Sequence, residues 1–351
     1  MLRHTVPALA GLLALGAVSA AQERSSAGRT YVNRLVPVAS PRPILGDHPE
    51  FVAPVTEPLR FEAPALIEDG GADLEVRAWR FSYNARGVIE IPNRLRGRDT
   101  AVVVVHPWGV DDGQGWRSPE PAGVAFACTP AKNRVMVLHA GRVLNPFLKK
   151  LRGKVGAIVY SLPGGADSTR TGLYRSVRGR PAPEQRRRAE LELAVKLNGF
   201  RYLAGALPRE IPLSEERPVA DYFRRFPGLD AGDHYNGPGF WSLPIPVTRA
   251  IEVSPEDVVA YDAEGYEPLK QFLKGLGIRH VLLAGYHTDM CVRSTAAGYL
   301  NLERDFNVFL VGDATVATFP AHLDPSAATG AAVSFAALDH LITQVSWIRP
   351  R

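Results

Sequence analysis

The stretch Leu282-Leu283-Ala284-Gly285-Tyr286-His287-Thr288-Asp289-Met290-Cys291-Val292-Arg293-Ser294-Thr295-Ala296 decides the fold. With Val281 before it, Leu282-Leu283-Ala284 forms an apolar β run of four, Gly285 opens a polar bend, and a helix begins at a cysteine. Thr288 and Asp289 are helix N-cap residue types, which puts Cys291 in the first turn. Unpaired backbone N–H groups and the helix dipole favour negative charge there, so the reading expects an acidic thiol.

Upstream, Leu269, Phe272, Leu273 and Leu276 recur at i, i+3, i+4 and i+7 and predict a helix ended by Gly277, followed by a strand over Val281–Ala284. Downstream, Val308–Val311 predicts another strand. A last helix is expected to be capped by Asp324, with Pro325 in its first position, and to run to Thr343. Far earlier, Ala101-Val102-Val103-Val104-Val105 is an unbroken β-branched run, as in parallel strands covered on both faces, and its carboxyl end delivers His106. A helix over Asn145–Arg152 and a strand over Val155–Tyr160 complete a βαβ unit. The expected architecture is α/β: a three-layer α/β/α sandwich with a mostly parallel, Rossmann-like sheet.

The chain divides into four expected parts. Residues 1–20 read as a signal peptide: Arg3 and His4 precede the apolar run Val6–Val18, and Val18-Ser19-Ala20 offers small residues for cleavage. Residues 21–66, broken by Pro37, Pro41, Pro43, Pro49, Pro54 and Pro58, read as a linker or surface strap. Residues 67–97 form an N-terminal β extension, with Leu74–Ser82 and Gly87–Ile91 pairing as a hairpin through the Asn84 turn. The main domain spans 98–351. Its long insert at 162–251 contains a helix from Pro183 to about Leu203 and the aromatic, glycine-rich run His234–Trp241.

The net charge of +5 comes from scattered residues, and the densest basic run, Arg186-Arg187-Arg188, alternates with Glu184, Glu190 and Glu192. That is a solvated helix face, so no nucleic-acid partner is expected. No apolar run of about 20 residues follows the first, so no membrane association is expected after signal cleavage, and export to the periplasm or exterior is the expected location. With two cysteines, Cys128 and Cys291, an exported chain leaves one disulfide open.

The sequence from Gly285 through Thr288-Asp289-x-Cys291-Val292 to Thr295-Ala296, then a strand ending in Asp313-Ala314, resembles the isochorismatase-like cysteine hydrolases, which include nicotinamidases. The resemblance is strong from Gly277 to Ala317 and traceable from about Arg98 to Val345. It implies a Cys291 nucleophile, oxyanion donors at the amides of His287 and Cys291, and a cis peptide between Tyr286 and His287. It also implies self-association in many relatives, which leaves a homo-oligomer open. Two departures stand out. The family places an Asp where this chain has His106, and a Lys before the helix leading to the cysteine strand, where Val259–Tyr266 holds none. A zinc in nicotinamidase-like members needs histidines that Ser161–Asp167 lacks, so no metal and no cofactor are expected.

Strands that leave one sheet edge converge at their carboxyl ends, which brings His106 and Cys291 to one crevice. An imidazole there can take the thiol proton and serve as base, with Asp111, Asp112, Asp262 or Glu264 as candidates to orient it. Trp108, Tyr286, Phe240 and Trp241 are the candidate substrate contacts, and His287 a further pocket residue. Two readings stay open for a small-molecule ligand: a cysteine hydrolase that cleaves an amide or related C–N bond through a thioester, and a non-catalytic binding protein on the same scaffold.

Overall fold

The computed structural model describes residues 28–82, 84–114, 130–200, 210, 212–225, 242–318, 324–339 and 344–350. The chain divides into Met1–Val32 and Asn33–Arg351, and all that follows concerns the second unit. The signal segment and Phe240 and Trp241 lie outside the described residues.

Among the described residues, ten strands form one sheet: β1 (Val36–Pro37), β2 (Arg60–Glu62), β3 (Leu74–Ser82), β4 (Gly87–Leu95), β5 (Thr100–Val105), β6 (Ala157–Leu162), β7 (Val258–Tyr261), β8 (His280–Tyr286), β9 (Asn307–Val316) and β10 (Gln344–Pro350). Their spatial order is β1-β2-β4-β3-β10-β9-β8-β5-β6-β7. The half from β10 to β7 is parallel throughout, which is the expected mostly parallel α/β sheet.

The helices are α1 (Pro130–His139), α2 (Asn145–Leu151), α3 (Ser168–Leu173), α4 (Pro183–Gly199), α5 (Pro218–Arg225), α6 (Glu267–Gly275), α7 (Cys291–Ser294), α8 (Tyr299–Leu302) and α9 (Pro325–Asp339). A π-helical turn, Ala140–Leu144, joins α1 to α2.

Every residue of β5 is buried, and the two sides of the strand serve different layers. Val102 and Val104 pack with Met136, Leu144, Leu148 and Leu151 of the α1–α2 layer. Ala101, Val103 and Val105 pack with Leu269 and Leu273 of α6 and with Val292, Tyr299 and Leu302. Burying each such valine or leucine contributes about 1.5–3 kcal/mol before conformational entropy is set against it. Two-sided burial is why the strand reads as an unbroken apolar run rather than an alternating one.

Helix α6 keeps its predicted period in Leu269, Phe272 and Leu273, while the fourth expected position, Leu276, lies past the helix and is exposed. Leu269 and Leu273 are buried, and Gly277, at φ +74°, supplies the left-handed residue that ends the helical segment. The β3–β4 hairpin forms, with Ser82 opposite Gly87, and β4 runs past the expected Ile91 to Leu95, which lies opposite Leu74. It joins the main sheet through β10, which pairs antiparallel with β3 and parallel with β9. The strap packs rather than dangles: Ile44, Leu45, Phe51 and Val52 form a third core cluster with Trp79, Val88 and Val333.

Two expectations shift. The last helix is described from Pro325 to Asp339, the rest of its expected span to Thr343 lying outside the described residues, and it is followed by a strand, Gln344–Pro350, that the sequence did not announce. Thr288 and Asp289 do not cap the Cys291 helix. Thr288 Oγ1 shares a 2.6 Å hydrogen bond with Thr315 Oγ1, Asp289 Oδ1 accepts from the Thr318 amide at 2.9 Å, and the capping position falls to Met290. Both side chains are spent tying the bend to β9.

Candidate active site

Strands β5 and β8 are neighbours, and their register pairs Val105 with Gly285, so the residues that follow each strand emerge side by side. Gly285 sits at φ +110°, and a Cβ on it would come 2.0 Å from the Val105 carbonyl oxygen. Only glycine permits this approach. Thr315 Oγ1 donates to the Gly285 carbonyl at 2.7 Å, and the amides of Met290 and Val292 donate to the His287 carbonyl at 3.0 and 3.1 Å. The Tyr286–His287 peptide is cis. Cys291 then opens α7 with a free, partly exposed thiol.

His106 follows β5 at φ +48°, a left-handed conformation costly for a non-glycine residue, of the kind that collects at functional sites. Its amide donates to the Ser161 carbonyl at 2.9 Å, and its ring is buried. Nε2 lies 2.7 Å from Asp262 Oδ2, and the other oxygen of that carboxyl, Oδ1, accepts from Ser161 Oγ at 3.0 Å. The second ring nitrogen, Nδ1, is buried with no well-aligned partner. Cys291 nevertheless acts on the ring both as a hydrogen-bonding group and through charge. Contacts of this kind are often long or off-axis before substrate binds. Burial works against the imidazolium, but Asp262 and Cys291 together outweigh it and carry the His106 pKa up to about 9.

Of the four carboxylates that sequence left open, the fold brings Asp262 alone to His106. Asp111 accepts from Asn133 Nδ2 at 2.7 Å, Asp112 from Gln114 and the Arg249 amide, and Glu264 pairs with Arg178 at 3.0 Å. Asp262 stands directly after β7, in the segment where the resemblance called for a lysine. An imidazole thus stands where the resemblance implied an Asp, and a carboxylate lies in the segment where it implied a Lys.

The remaining candidates fall as follows. Trp108 is buried and meets His106 edge-on, ring centroids 5.9 Å apart, and His287 at 5.5 Å. His287 is buried rather than solvated, and burial, with Lys132 and His106 adding to it, pushes its pKa down to about 3. Its ring is therefore neutral at physiological pH. The Tyr286 ring is packed inside, its hydroxyl 2.8 Å from His139 Nδ1, so it forms the floor beneath the turn. His139 donates from Nε2 to the Asp313 carbonyl at 2.8 Å, and burial lowers its pKa to about 4, which fixes Nδ1 as the acceptor from Tyr286. Asp313 enters this network through its main chain.

Ser161 and Lys132 were missed by sequence reasoning. Ser161 carried one signal, its place at the carboxyl end of β6 beside β5; Lys132 carried none. Among the described residues no group of three or more His, Cys, Asp or Glu side chains is arranged to hold a metal ion.

The fold and the bend at Cys291 define the class: an α/β protein in which a cysteine opens a helix just beyond the carboxyl end of a parallel strand. Residues 250–338 match the family model described as the isochorismatase domain. Similar solved structures include the nicotinamidase PncA of Bacillus subtilis (12% identity, covering 70% of this chain and 98% of that one, TM-score 0.33). An isochorismatase-like hydrolase from Alkaliphilus metalliredigens is another (12%, 68% and 91%, TM-score 0.35). A third is the pyrazinamidase of Pyrococcus horikoshii in complex with zinc (17%, 67% and 95%, TM-score 0.31). No curated protein matches the chain.

Proposed function

We propose that this protein is an exported cysteine hydrolase that cleaves a small amide or related C–N bond, with Cys291 as nucleophile, His106 as base and acid, and Asp262 as the group that holds His106. The observation that carries the reading is the buried His106 ring, bonded through Nε2 to Asp262 and influenced by Cys291. His106 takes the thiol proton at Nδ1 and sulfur attacks the carbonyl carbon. Amides at the bend, those of His287 and Cys291, face the oxyanion. As the C–N bond breaks, the imidazolium returns its proton to the departing amine and a thioester remains. Water then loses a proton to His106 as it attacks the thioester, and the collapse frees a carboxylic acid and restores the thiol. A neutral His287 and the Trp108 ring beside the reacting groups suit an uncharged planar amide. Export rests on the apolar run Val6–Val18 and the small residues after it.

The test is ammonia release from a panel of small carboxamides, nicotinamide and pyrazinamide first, together with iodoacetamide alkylation of Cys291 at pH 7. Turnover lost in Cys291→Ala, and both turnover and alkylation about 10²–10⁴ slower in His106→Ala, is the expected pattern. No turnover of any amide, with alkylation equally slow in wild type and His106→Ala, would establish the non-catalytic binding reading instead. The mass of the mature chain tests export.

A further inference from the structure

On the α1–α2 side of the sheet, where β9 and β10 part, lies a cavity of about 340 Å³ that shares no lining residue with the catalytic centre. Three backbone irregularities meet there. The π-helical turn contributes Arg142 and Val143. The register break of β9 against β8, between Leu310 and Thr315, contributes Val311, Asp313 and Ala314. The register break of β10 against β3 contributes Trp347. π-turns and bulges recur at functional sites because they re-aim side chains that a regular element would point elsewhere.

The lining has two characters. Val143, Val311 and Val345 are buried and Phe147, Trp347 and Ile348 half-buried, giving an apolar, aromatic wall. Arg142, Lys150 and Arg349 bring positive charge, and none of the three has a carboxylate ion-pair partner among the described residues. Arg349 instead lies 4.4 Å over the Trp347 ring. Asp47, His48 and Asp313 share the lining. Three cations against two carboxylates leave a surplus of one, which suits a single negative charge, and the volume falls in the range of small-molecule pockets.

We propose that this cavity is a second binding site, separate from the catalytic centre, for a small monocarboxylate with a planar apolar body. The carboxylate meets Arg142 and Lys150, and the body lies along Phe147, Trp347 and Val311. The site goes beyond the hydrolytic reading and does not depend on it.

Calorimetric titration of the full chain with 3-phenylpropionate, and with 3-phenylpropanol as the uncharged control, tests the site. Saturable one-site binding of the acid is expected, with the alcohol at least tenfold weaker. The Arg142→Ala/Lys150→Ala variant, whose side chains are exposed, should weaken acid binding by about tenfold or more. Trp347→Ala should weaken acid and alcohol alike, and Cys291→Ala should change nothing. Absence of saturation, or equal affinity in the double variant and wild type, overturns the site. Binding lost in Cys291→Ala would move the ligand to the catalytic centre and overturn it equally.

Discussion

His106 Nε2 and Asp262 Oδ2 stand 2.7 Å apart across 156 residues of sequence, a contact made because β5, β6 and β7 are consecutive in the sheet. This pair sets the pH behaviour of the site. The folded His106 pKa is raised to about 9 against an ordinary value of 6.5. The stabilisation is therefore fully present below about pH 6.5 and is lost as pH rises through about 9. Asp262→Asn removes one of the two groups that outweigh burial and leaves Cys291 alone against it, so the imidazole pKa should fall, as read by NMR titration of the ring. Denaturant unfolding between pH 6 and 10 should then show a weaker alkaline decline than wild type, beginning at lower pH. The same decline in both proteins would mean that Asp262 does not hold the proton on His106.

Gly285 is the second point at which the site can be broken by one atom. Alanine there puts Cβ 2.0 Å from the Val105 carbonyl oxygen at a φ of +110°. Overpacking of about 1–3 kcal/mol adds to about 1–2 kcal/mol for the backbone conformation. Gly285→Ala should lower unfolding stability by about 3 kcal/mol. It should also abolish the advantage that His106 gives to alkylation of Cys291, since β5 and β8 must separate to admit the methyl group. Retention of both properties would show that the two strand ends can shift without cost.

Beneath the turn, Tyr286 and His139 form a buried polar pair. Tyr286→Phe leaves His139 Nδ1 without its donor, a loss of about 1–3 kcal/mol for a buried unsatisfied acceptor. Chemical denaturation should register that loss. Alkylation of Cys291 should change less than tenfold, because the phenol hydroxyl faces α1 and bonds no group of the catalytic set. A larger change would assign Tyr286 a direct part at the reacting atoms.

The parts of the molecule legible in sequence are those whose burial is set locally. β5 and β8 carry continuous apolar runs because both faces are covered, and α6 shows its period because one face alone is. The hairpin of β3 and β4 was legible from alternation around a short turn. β10 was not, since Val345, Trp347 and Ile348 become a strand by filling a slot between β3 and β9, and nothing local records that slot. The same holds at the site. His106 and Cys291 could be named because one follows a recognisable strand directly and the other opens the helix after a second. Asp262 stayed one of four carboxylates until strand order chose it, and Ser161 and Lys132 depend wholly on neighbours far away in the chain.

The hairpin extension is anchored by a buried charge cluster that makes the last prediction. Arg60 and Glu90 are both nearly inaccessible, Nη1 to Oε1 at 2.8 Å, and Arg77 Nε reaches the other Glu90 oxygen. Arg60 also donates to the carbonyls of Arg42 and Val55, which ties the strap to β2 and β4. Burial works to raise the Glu90 carboxyl, but Arg77 and Arg60 overcome it and hold its pKa below the usual value. The sign is opposite to that of His106: stability is present above the ordinary glutamate pKa and is lost as pH falls through the lowered one. Glu90→Ala leaves two guanidinium groups without their shared anion and should cost about 3–5 kcal/mol in urea unfolding at pH 7. The difference from wild type should shrink below pH 4, where the carboxyl of wild type is itself being neutralised. A cost under about 1 kcal/mol at pH 7 would mean that water reaches Arg60 once the carboxylate is gone, and that the strap is held by its apolar residues alone.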